Sequence, residues 1–580
     1  MEKNESPPTE YDILKDAQFY AHNHLPLAAA YCRSLGLADL VDRMVPTRMQ
    51  VRPGLVVQAM VLDTLSGRSP LYRLEEFMAD QDIELLLGAS VPASDFNDTN
   101  LARSLDAIFN VGCTKILTQI GVQATQKFSL DPSVVSYDTT STSVWGDYRM
   151  CEGESHLEPS VTYGFSKDHR PDLKQFMTEL LCVERGVPIF GHTLDGNSSD
   201  KTSNNRLLTR ISSIMAKHGL GPGAFVYIAD SAMVTEKNLK VIGDAHRFIS
   251  RLPASYSACS KLITGAVNAD QWIDLGRLAE NHGSPNRPGA SYKVYESSVE
   301  LYGDTYRALV VHSDSHDKRR RKKLDKAIVQ SKKDVDAQIK EFNTVYYCLP
   351  DAQEAAHKIA KCSSSLHNVE TTVCPFQVRR RGRPPQNKPA NLQTKFKVKW
   401  TIVEKSEDIE KIKEEAGCFV LISNVAVDGD EALSAEQVLR QYKGQYGVES
   451  NFAFLKDPLI VNDTFLKLPR RIDVLGMILV IALLIWRLME RSLRAWVKNT
   501  GQTLPGWDKK RTTKPTAFMV STAFYGIQVF KKKDGHRFFL QEPSGRQNEY
   551  LQALGLSADV FISCRSTCKP IIPSESLSKR

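Results

Sequence analysis

The sequence has few cysteines, no secretory signal and no apolar run long enough to span a membrane. Eleven cysteines are scattered over 580 residues, and the one tight pair, Cys564 and Cys568, has no second pair to complete a zinc site. The first residues lack the basic region and apolar run of a signal peptide. The longest apolar run, residues 474–486, has 13 residues, whereas about 20 are needed to span a bilayer. We therefore expect a reduced, intracellular protein in which this run is a buried core helix.

The composition excludes general disorder, because 42% of the residues are hydrophobic and 24% are charged. The 75 Lys and Arg exceed the 67 Asp and Glu by a modest +8, which permits a polyanionic partner without requiring one. The distribution of charge is more informative than its total. Residues 371–403 contain eight Lys and Arg and no Asp or Glu.

Hydrophobic periodicity predicts an α+β protein of several domains. Helical spacing dominates the first 128 residues, and short apolar runs that end in polar residues predict buried strands after residue 129. An alternating hairpin and a charged helix follow residue 255, and a long apolar helix begins near residue 472. The expected divisions are a helical N-terminal domain at 1–128, an α/β core at 129–254 and 416–495, a separate region at 255–415 and a basic C-terminal region at 496–580.

Two aspartates follow apolar strands within the predicted core. Asp138 comes after VVSY, and Asp230 comes after FVYIA. Two carboxylates at the edge of one sheet are suited to a divalent metal, since Mg²⁺ prefers one or two protein carboxylates. An aspartate after a strand is also common as a helix cap or turn former, so either residue alone has a purely structural explanation.

A third carboxylate lies on a predicted helix that runs from Ser434 to about residue 457. Ser434 and Gln437 have the spacing of a capping box. At 100° per residue, Tyr442, Gln445, Glu449 and Lys456 fall within an arc of about 60° on one face. This polar stripe is either part of a site or an ordinary solvated helix face.

Six segments, in chain order, resemble a known family. They are SYDTTSTSVWGDY, YGFSKDHRPDLKQF, VPIFGHTLDGNSSDKT, VYIADSAM, FISRLPA and YKGQYGVESNFAFLKDP. Over about residues 25–490 the chain looks like the IS4-superfamily DDE transposases, and most closely the IS1634-like insertion-sequence group. The resemblance implies an RNase H-like catalytic core, interrupted by a mainly β insertion domain and followed by a helical C-terminal part.

The resemblance also implies a catalytic site and its partners. Asp138, Asp230 and Glu449 would be the acidic triad that holds Mg²⁺, for which Mn²⁺ can substitute. Such a site can hold two ions for in-line displacement at phosphorus. It would cleave transposon ends and join the freed 3′-hydroxyl to target DNA. The implied partner is double-stranded DNA bound by a homodimer in the prokaryotic cytoplasm, at the nucleoid, with no membrane and no small-molecule substrate.

The family's Tyr, Arg, Glu, Lys signature maps onto Tyr442, Gln445, Glu449 and Lys456, which would contact the DNA beside the triad. Gln445 departs from the pattern, because a neutral amide stands where a permanent cation is expected. A phosphate contact there would be weaker and less sensitive to salt.

Two basic segments are further candidates for DNA contacts. Lys167, Arg170 and Lys174 lie close together in SKDHRPDLKQF, which is either a DNA-contacting loop and strand or a solvated turn. Arg381 and Arg383 belong to an RGRP sequence, which is either a minor-groove segment or a basic connector.

Three hypotheses for the function remain. The first is the cut-and-paste transposase that the resemblance implies. The second is a stand-alone metal-dependent nuclease that uses the same triad without strand transfer. The third is an inactive DNA-binding protein derived from a transposase. The N-terminal domain would either bind the transposon end or dimerise.

Overall fold

The computed structural model describes residues 17–574 except 68–72, 146–158, 168, 185, 244, 279–282, 285–286, 380–391, 430–431, 458–465 and 467. Within these residues the chain is an α+β protein with several sheets, as predicted.

The helices, in chain order, are α1 Leu25–Leu35, α2 Leu37–Met44, α3 Pro53–Ser66, α4 Leu74–Ala79, α5 Ile83–Leu87, α6 Asp98–Val111, α7 Cys113–Phe128, α8 Asp200–Lys217, α9 Glu236–Ile242, α10 Ser257–Ala269, α11 Asp314–Lys340, α12 Leu349–Ala360, α13 Ser406–Ala416, α14 Ala435–Gly444, α15 Tyr446–Leu455, α16 Pro469–Thr500, α17 Ala517–Ala523 and α18 Gly545–Ala553.

The numbered strands are β1 Gln18–Tyr20, β2 Val134–Val144, β3 Lys174–Val183, β4 Val187–Leu194, β5 Val226–Ala229, β6 Arg247–Arg251, β7 Ile273–Arg277, β8 Ser291–Leu301, β9 Asp304–Ser313, the two-residue β10 Val345–Tyr346, β11 His367–Arg379, β12 Leu392–Glu404, β13 Cys418–Ser423, β14 Val529–Lys531 and β15 Arg537–Phe539. Two-residue strands occur at Gly283–Ser284, Arg287–Pro288, Leu504–Pro505 and Arg511–Thr512.

The chain forms two compact units. The first combines Met1–Ser250 with Val438–Arg580, and the second is Arg251–Gln437. The chain therefore leaves the first unit after Asp230 and returns to it before Glu449. All three predicted triad residues belong to the first unit.

In the first unit the strands pair in the order β4-β3-β2-β5-β6. β2, β5 and β6 are parallel to one another, and β3 is antiparallel to both of its neighbours. Numbered along the chain, the order is 3-2-1-4-5 with the second strand reversed, which is the RNase H-like arrangement that the resemblance implies. β3 and β4 are buried along almost their whole length, which explains their nearly continuous apolar sequences.

Helix α16 is the apolar helix predicted from residues 474–486. It is long and apolar enough to cross a membrane by length and composition, but 94% of its most apolar stretch is buried inside the protein. It packs against α3, α6 and β4. The prediction of a buried core helix is confirmed.

The first unit also joins the two ends of the described chain. β1 pairs with β14, from Gln18 opposite Lys531 to Tyr20 opposite Val529. The buried Tyr31 hydroxyl on α1 donates a hydrogen bond to the Leu554 carbonyl, 3.0 Å away. The N-terminal helices and the region after residue 504 therefore share one core.

The second unit contains four antiparallel strands paired in the order β13-β9-β8-β7, and a three-stranded sheet of order β10-β12-β11. Helices α11 and α12 pack with the three-stranded sheet around Ile339, Ile359 and Val398, each of which is fully buried. The hairpin predicted after residue 255 is β8 and β9, and the charged helix is α11.

Candidate active site

Asp138 and Asp230 lie side by side at one edge of the sheet. β2 and β5 run parallel, and the last paired residues are Ser136 and Ile228. Asp138 comes two residues later on β2, and Asp230 comes two residues later, directly after the end of β5. The register therefore brings them to neighbouring positions on chain segments about 4.8 Å apart. The two buried-strand motifs therefore converge, as the sequence predicts.

Local hydrogen bonds hold both carboxylates in place. The Thr139 backbone N–H donates to Asp138 Oδ1 over 2.7 Å. The Ala232 N–H donates to Asp230 Oδ1 over 3.1 Å, which makes Asp230 the cap of the turn Ser231–Met233. Asp230 is therefore a turn former, as the structural explanation has it, and it also lies beside Asp138.

The electrostatics of this edge favour a cation. Burial raises the pKa of Asp138 to about 7. The Lys167 ammonium and the Thr139 N–H oppose that rise, and the charges of Asp230 and Asp200 add to it. Burial, followed by the charge of Asp200, also raises the pKa of Asp230. Three aspartates are therefore close enough to repel one another in a partly buried environment.

Sequence reasoning missed Asp200 and Thr139. Asp200 is the first residue of α8, and its Oδ1 accepts a hydrogen bond from the Thr139 hydroxyl at 2.5 Å. The only signal in the sequence was an acidic residue after Ser199, which is typical of a helix start. Nothing local indicates that this helix start meets the strand that carries Asp138.

Lys167, predicted as a DNA contact, lies among these carboxylates. Its Nζ is 3.3 Å from Asp200 Oδ1 and 3.9 Å from Asp138 Oδ1. It also donates to the Thr139 carbonyl at 2.7 Å and to the Thr139 hydroxyl at 3.0 Å. An ammonium group surrounded by oxygen atoms partly neutralises the cluster.

Arg170 and Lys174 lie nearby with exposed aromatic rings. The Arg170 guanidinium forms a two-point pair with Asp172 and lies 5.0 Å from the ring centre of Trp145. Lys174 Nζ lies 5.9 Å from the ring centre of Tyr163. Trp145 and Tyr163 are more than half exposed. Cations beside exposed rings are suited to contacting nucleic acid.

The structure divides the single helix predicted for residues 434–457 into α14 and α15. The capping box is confirmed, because Ser434 N–H donates to the Gln437 side chain and Gln437 N–H donates to the Ser434 hydroxyl. Gln445 separates the helices but keeps helical backbone angles. Its N–H bonds to the Tyr442 carbonyl at 3.1 Å, which indicates a tighter local turn.

The break distributes the predicted stripe over two helices and their junction. Tyr442 is on α14, Gln445 is at the junction, Glu449 is on α15 and Lys456 follows the end of α15. Tyr442 and Lys456 are half-buried, and each has interaction partners. Arg381 and Arg383, the remaining predicted DNA contacts, lie outside the described residues.

Among the described residues, Glu449 makes no hydrogen bond or ion pair with the aspartate cluster. It is exposed, and its carboxylate makes no hydrogen bond or ion pair with any described residue. Its helix nevertheless lies close to the site. The Asn451 amide donates to the Gly186 carbonyl at 2.8 Å and to Cys182 Sγ at 3.4 Å. Cys182 pairs with Ser136, whose side chain lies on the same face of β2 as that of Asp138.

The donor chemistry of Asp138 and Asp230 fits Mg²⁺, which takes oxygen ligands and commonly one or two protein carboxylates. An internal ammonium group already interacts with Asp138, so the edge accommodates positive charge. In the part of the chain that the structure describes, no group of three His, Cys, Asp or Glu side chains is arranged to hold a metal ion. The donor chemistry that the structure describes is therefore that of the two aspartates.

The fold and these residues define an α+β protein with an RNase H-like sheet and an aspartate pair at its edge. Residues 17–122 match a protein-family model described as a domain of unknown function, DUF4277. This match lies in the helical N-terminal part of the chain. No curated protein matches the sequence.

Proposed function

We propose that the chain is a DNA transposase of the DDE class, belonging to the IS4 superfamily and its IS1634-like group. The observation that carries the proposal is the register of β2 and β5, which sets Asp138 beside Asp230 at the edge of a sheet with RNase H-like order. The N-terminal match supports it, because that domain is common in transposases. The proposed substrate is double-stranded DNA at the ends of an insertion sequence and in the target.

Different residues of the site would bind the metal ions and neutralise the negative charge. Asp138 and Asp230 would hold Mg²⁺ or Mn²⁺, which when bound supplies an activated oxygen nucleophile and stabilises the leaving oxygen. Asp200 and Thr139 keep Lys167 against the carboxylates and so limit their repulsion. Glu449 would complete the triad from α15.

DNA would reach this edge across an aromatic and basic surface. Arg170 and Lys174 provide positive charge beside Trp145 and Tyr163, and Tyr442, Gln445 and Lys456 provide polar groups from α14 to the end of α15. Positive charge attracts the phosphate backbone, and exposed rings can stack on bases. Processing two DNA ends at the same time would use two active sites, for which a homodimer is the simplest arrangement.

One observation favours a second candidate, an inactive DNA-binding derivative. Glu449 is exposed and makes no interaction with a described residue, and a transposase that lost catalysis would no longer need it at the site. Cleavage in the presence of Mg²⁺ separates the two candidates.

The experiment uses the full-length protein and labelled duplexes taken from either side of the gene, with Mg²⁺ or with EDTA. We expect cleavage only with Mg²⁺. Asp138→Ala, Asp230→Ala and Glu449→Ala should reduce cleavage to background while DNA binding persists. Glu542→Ala, which removes an exposed carboxylate outside the site, is the matched control and should cleave normally.

Mg²⁺-dependent cleavage by the Asp230→Ala protein at the wild-type rate would overturn the assignment. Absence of cleavage by the wild-type protein, with binding intact, would favour the inactive derivative.

A further inference from the structure

The long hairpin of the second unit has one buried face and one exposed face. β11 and β12 pair without interruption from His367 opposite Glu404 to Arg379 opposite Leu392. Val369, Val398 and Trp400 pack on the buried face against the core that contains α12. Side chains at the alternate positions therefore point away from this core.

Three lysines line the exposed face. Lys395, Lys397 and Lys399 occupy alternate positions of β12, so they recur about every 6.7 Å along one face. Their partners across the hairpin are Phe376, Cys374 and Thr372, none of which is charged. We call Lys395, Lys397 and Lys399 with these three partners the lysine face.

The positive charge of the lysine face is not compensated within the described chain. None of the three lysines forms an ion pair with a described residue, and Lys397 and Lys399 are exposed. Lys395 Nζ instead lies 4.3 Å from the ring centre of Tyr347, which is 67% exposed. Glu370, the nearest carboxylate on this face, stands opposite Thr401, at the position next to the Thr372 and Lys399 pair, and forms no ion pair with Lys399.

The stability of the hairpin does not account for this arrangement. Like charges on neighbouring positions of one sheet face repel each other, and opposite charges across the strands would be more stable. The three lysine ammonium groups are instead suited to binding phosphates, because each is a point charge that only donates hydrogen bonds. Such contacts to phosphate do not distinguish one base from another.

We propose that the lysine face binds the phosphate backbone of duplex DNA without regard to sequence. The proposal rests on the proposed function only in taking duplex DNA as the polyanion. The surface belongs to the second unit and does not include the aspartate pair. Its role would be to add sequence-independent affinity for DNA.

The test measures binding of the full-length protein to a labelled duplex of arbitrary sequence, in EDTA, over a range of salt concentrations. Each phosphate contact contributes about −0.9 to the slope of log K against log salt. We expect the triple variant K395Q/K397Q/K399Q to have a slope smaller in magnitude by about 3, with at least about ten-fold weaker binding at low salt.

Two matched variants distinguish the effect of losing the lysine face from the effect of losing net charge. K332Q/K361Q/K411Q removes the same charge from exposed positions of the same unit and should leave the slope nearly unchanged. K395R/K397R/K399R keeps the charge and should bind as the wild type does. An unchanged thermal unfolding midpoint shows that each variant is folded.

An unchanged slope in K395Q/K397Q/K399Q, or an equal loss in the control triple, would overturn the proposal. Competition by polyglutamate or single-stranded RNA as effective as by duplex DNA would overturn the assignment of duplex DNA as the partner. Because the assay uses arbitrary DNA without metal, its result is independent of cleavage, and the active-site proposal can fail while this one holds.

Discussion

At the residue scale, Asp138 combines burial, two neighbouring aspartates and a lysine within ion-pair distance. Its side chain is 22% exposed, and the Lys167 ammonium lies 3.9 Å away. Burial is the largest cause of the rise in its pKa to about 7. Ionisation of Asp138 therefore opposes folding.

The raised pKa of Asp138 predicts how the free energy of unfolding depends on pH. Because the folded-state pKa lies above the unfolded one, the cost of ionisation begins near pH 4 and is complete above about pH 7. Asp138→Asn removes that cost. Its gain in free energy of unfolding, measured by urea denaturation in EDTA, should grow by about 2 kcal/mol between about pH 5 and pH 8.

Asp172→Asn provides the control. Its hydrogen bond from Arg170 lowers the pKa of exposed Asp172, the opposite direction. This variant should show no gain that increases with pH. A pH-independent effect of Asp138→Asn would contradict the account of the site's electrostatics.

The residues of the site were predictable to different degrees. Asp138 and Asp230 could be predicted because each follows a short apolar run, and the two runs pair in parallel, although β2 continues beyond Asp138 to Val144. Asp200 could not, because its role depends on a contact with Thr139 that is 61 residues away in sequence. The contact of Lys167 with the carboxylates could not be predicted from the sequence either, since a basic loop suggests contact with an external anion.

At the element scale, the contact between α7 and β4 depends on Gly121. A Cβ atom at Gly121 would lie 2.0 Å from the Ile189 carbonyl oxygen. A backbone atom cannot move aside as a side chain can, so the helix or the strand must shift. The absence of a side chain therefore sets how closely this helix covers the sheet.

Gly121→Ala should lower the free energy of unfolding by about 2 kcal/mol or more, since overpacking of a tight contact typically costs 1–3 kcal/mol. Gly265→Ala is the matched control on α10, where no atom lies within 4 Å of the added Cβ. It should be neutral or raise stability by up to about 1 kcal/mol, because alanine favours helix. Equal effects of the two substitutions on the unfolding midpoint would contradict this packing argument.

The positions of helices and strands were predicted better than the breaks within them. The strands of the first unit were recognisable as short apolar runs, and α16 as a long one. The division between α14 and α15 was not, because Gly444 disfavours helix by only about 1 kcal/mol relative to alanine. The helix is instead divided there because α15 packs against β2 and bonds to the turn after β3.

At the scale of the whole molecule, a buried ion network links α5 with the β14–β15 hairpin. Arg537 Nε lies 2.5 Å from Asp82 Oδ2, and Lys531 Nζ lies 3.0 Å from Asp82 Oδ1. Desolvation raises the pKa of Asp82, but the hydrogen bonds from Arg537 and Lys531 outweigh it and lower the pKa overall. Asp82 therefore contributes stability near neutral pH that is lost in acid.

Asp82→Ala should destabilise the protein by about 3–5 kcal/mol, since it leaves the buried Arg537 guanidinium without its main partner. Glu549→Ala removes one partner of an exposed pair with Arg511 and should cost less than about 1 kcal/mol. Calorimetric unfolding of both variants tests the difference. A small effect of Asp82→Ala would show that the two ends of the chain are not held together as described.

The strand order of the first unit agrees with the fold class predicted from the sequence, but the joining of the chain's ends was not foreseen. Gln18 pairs with Lys531, and Asp82 bonds with Arg537, across more than 400 residues of sequence. Local periodicity carries no signal for such pairs. The composition of the C-terminal region therefore suggested a separate basic segment rather than a part of the first core.

The most direct test of the central claim is strand transfer by the full-length protein. A labelled duplex from the boundary of the gene's flanking DNA, cut in advance to expose its 3′-hydroxyl, is mixed with unlabelled plasmid and Mg²⁺. We predict that the label becomes covalently joined to the plasmid with the wild-type protein, and not with Asp230→Asn or in EDTA. Joining by Asp230→Asn at the wild-type level, or cleavage by the wild type without any joining, would contradict the claim.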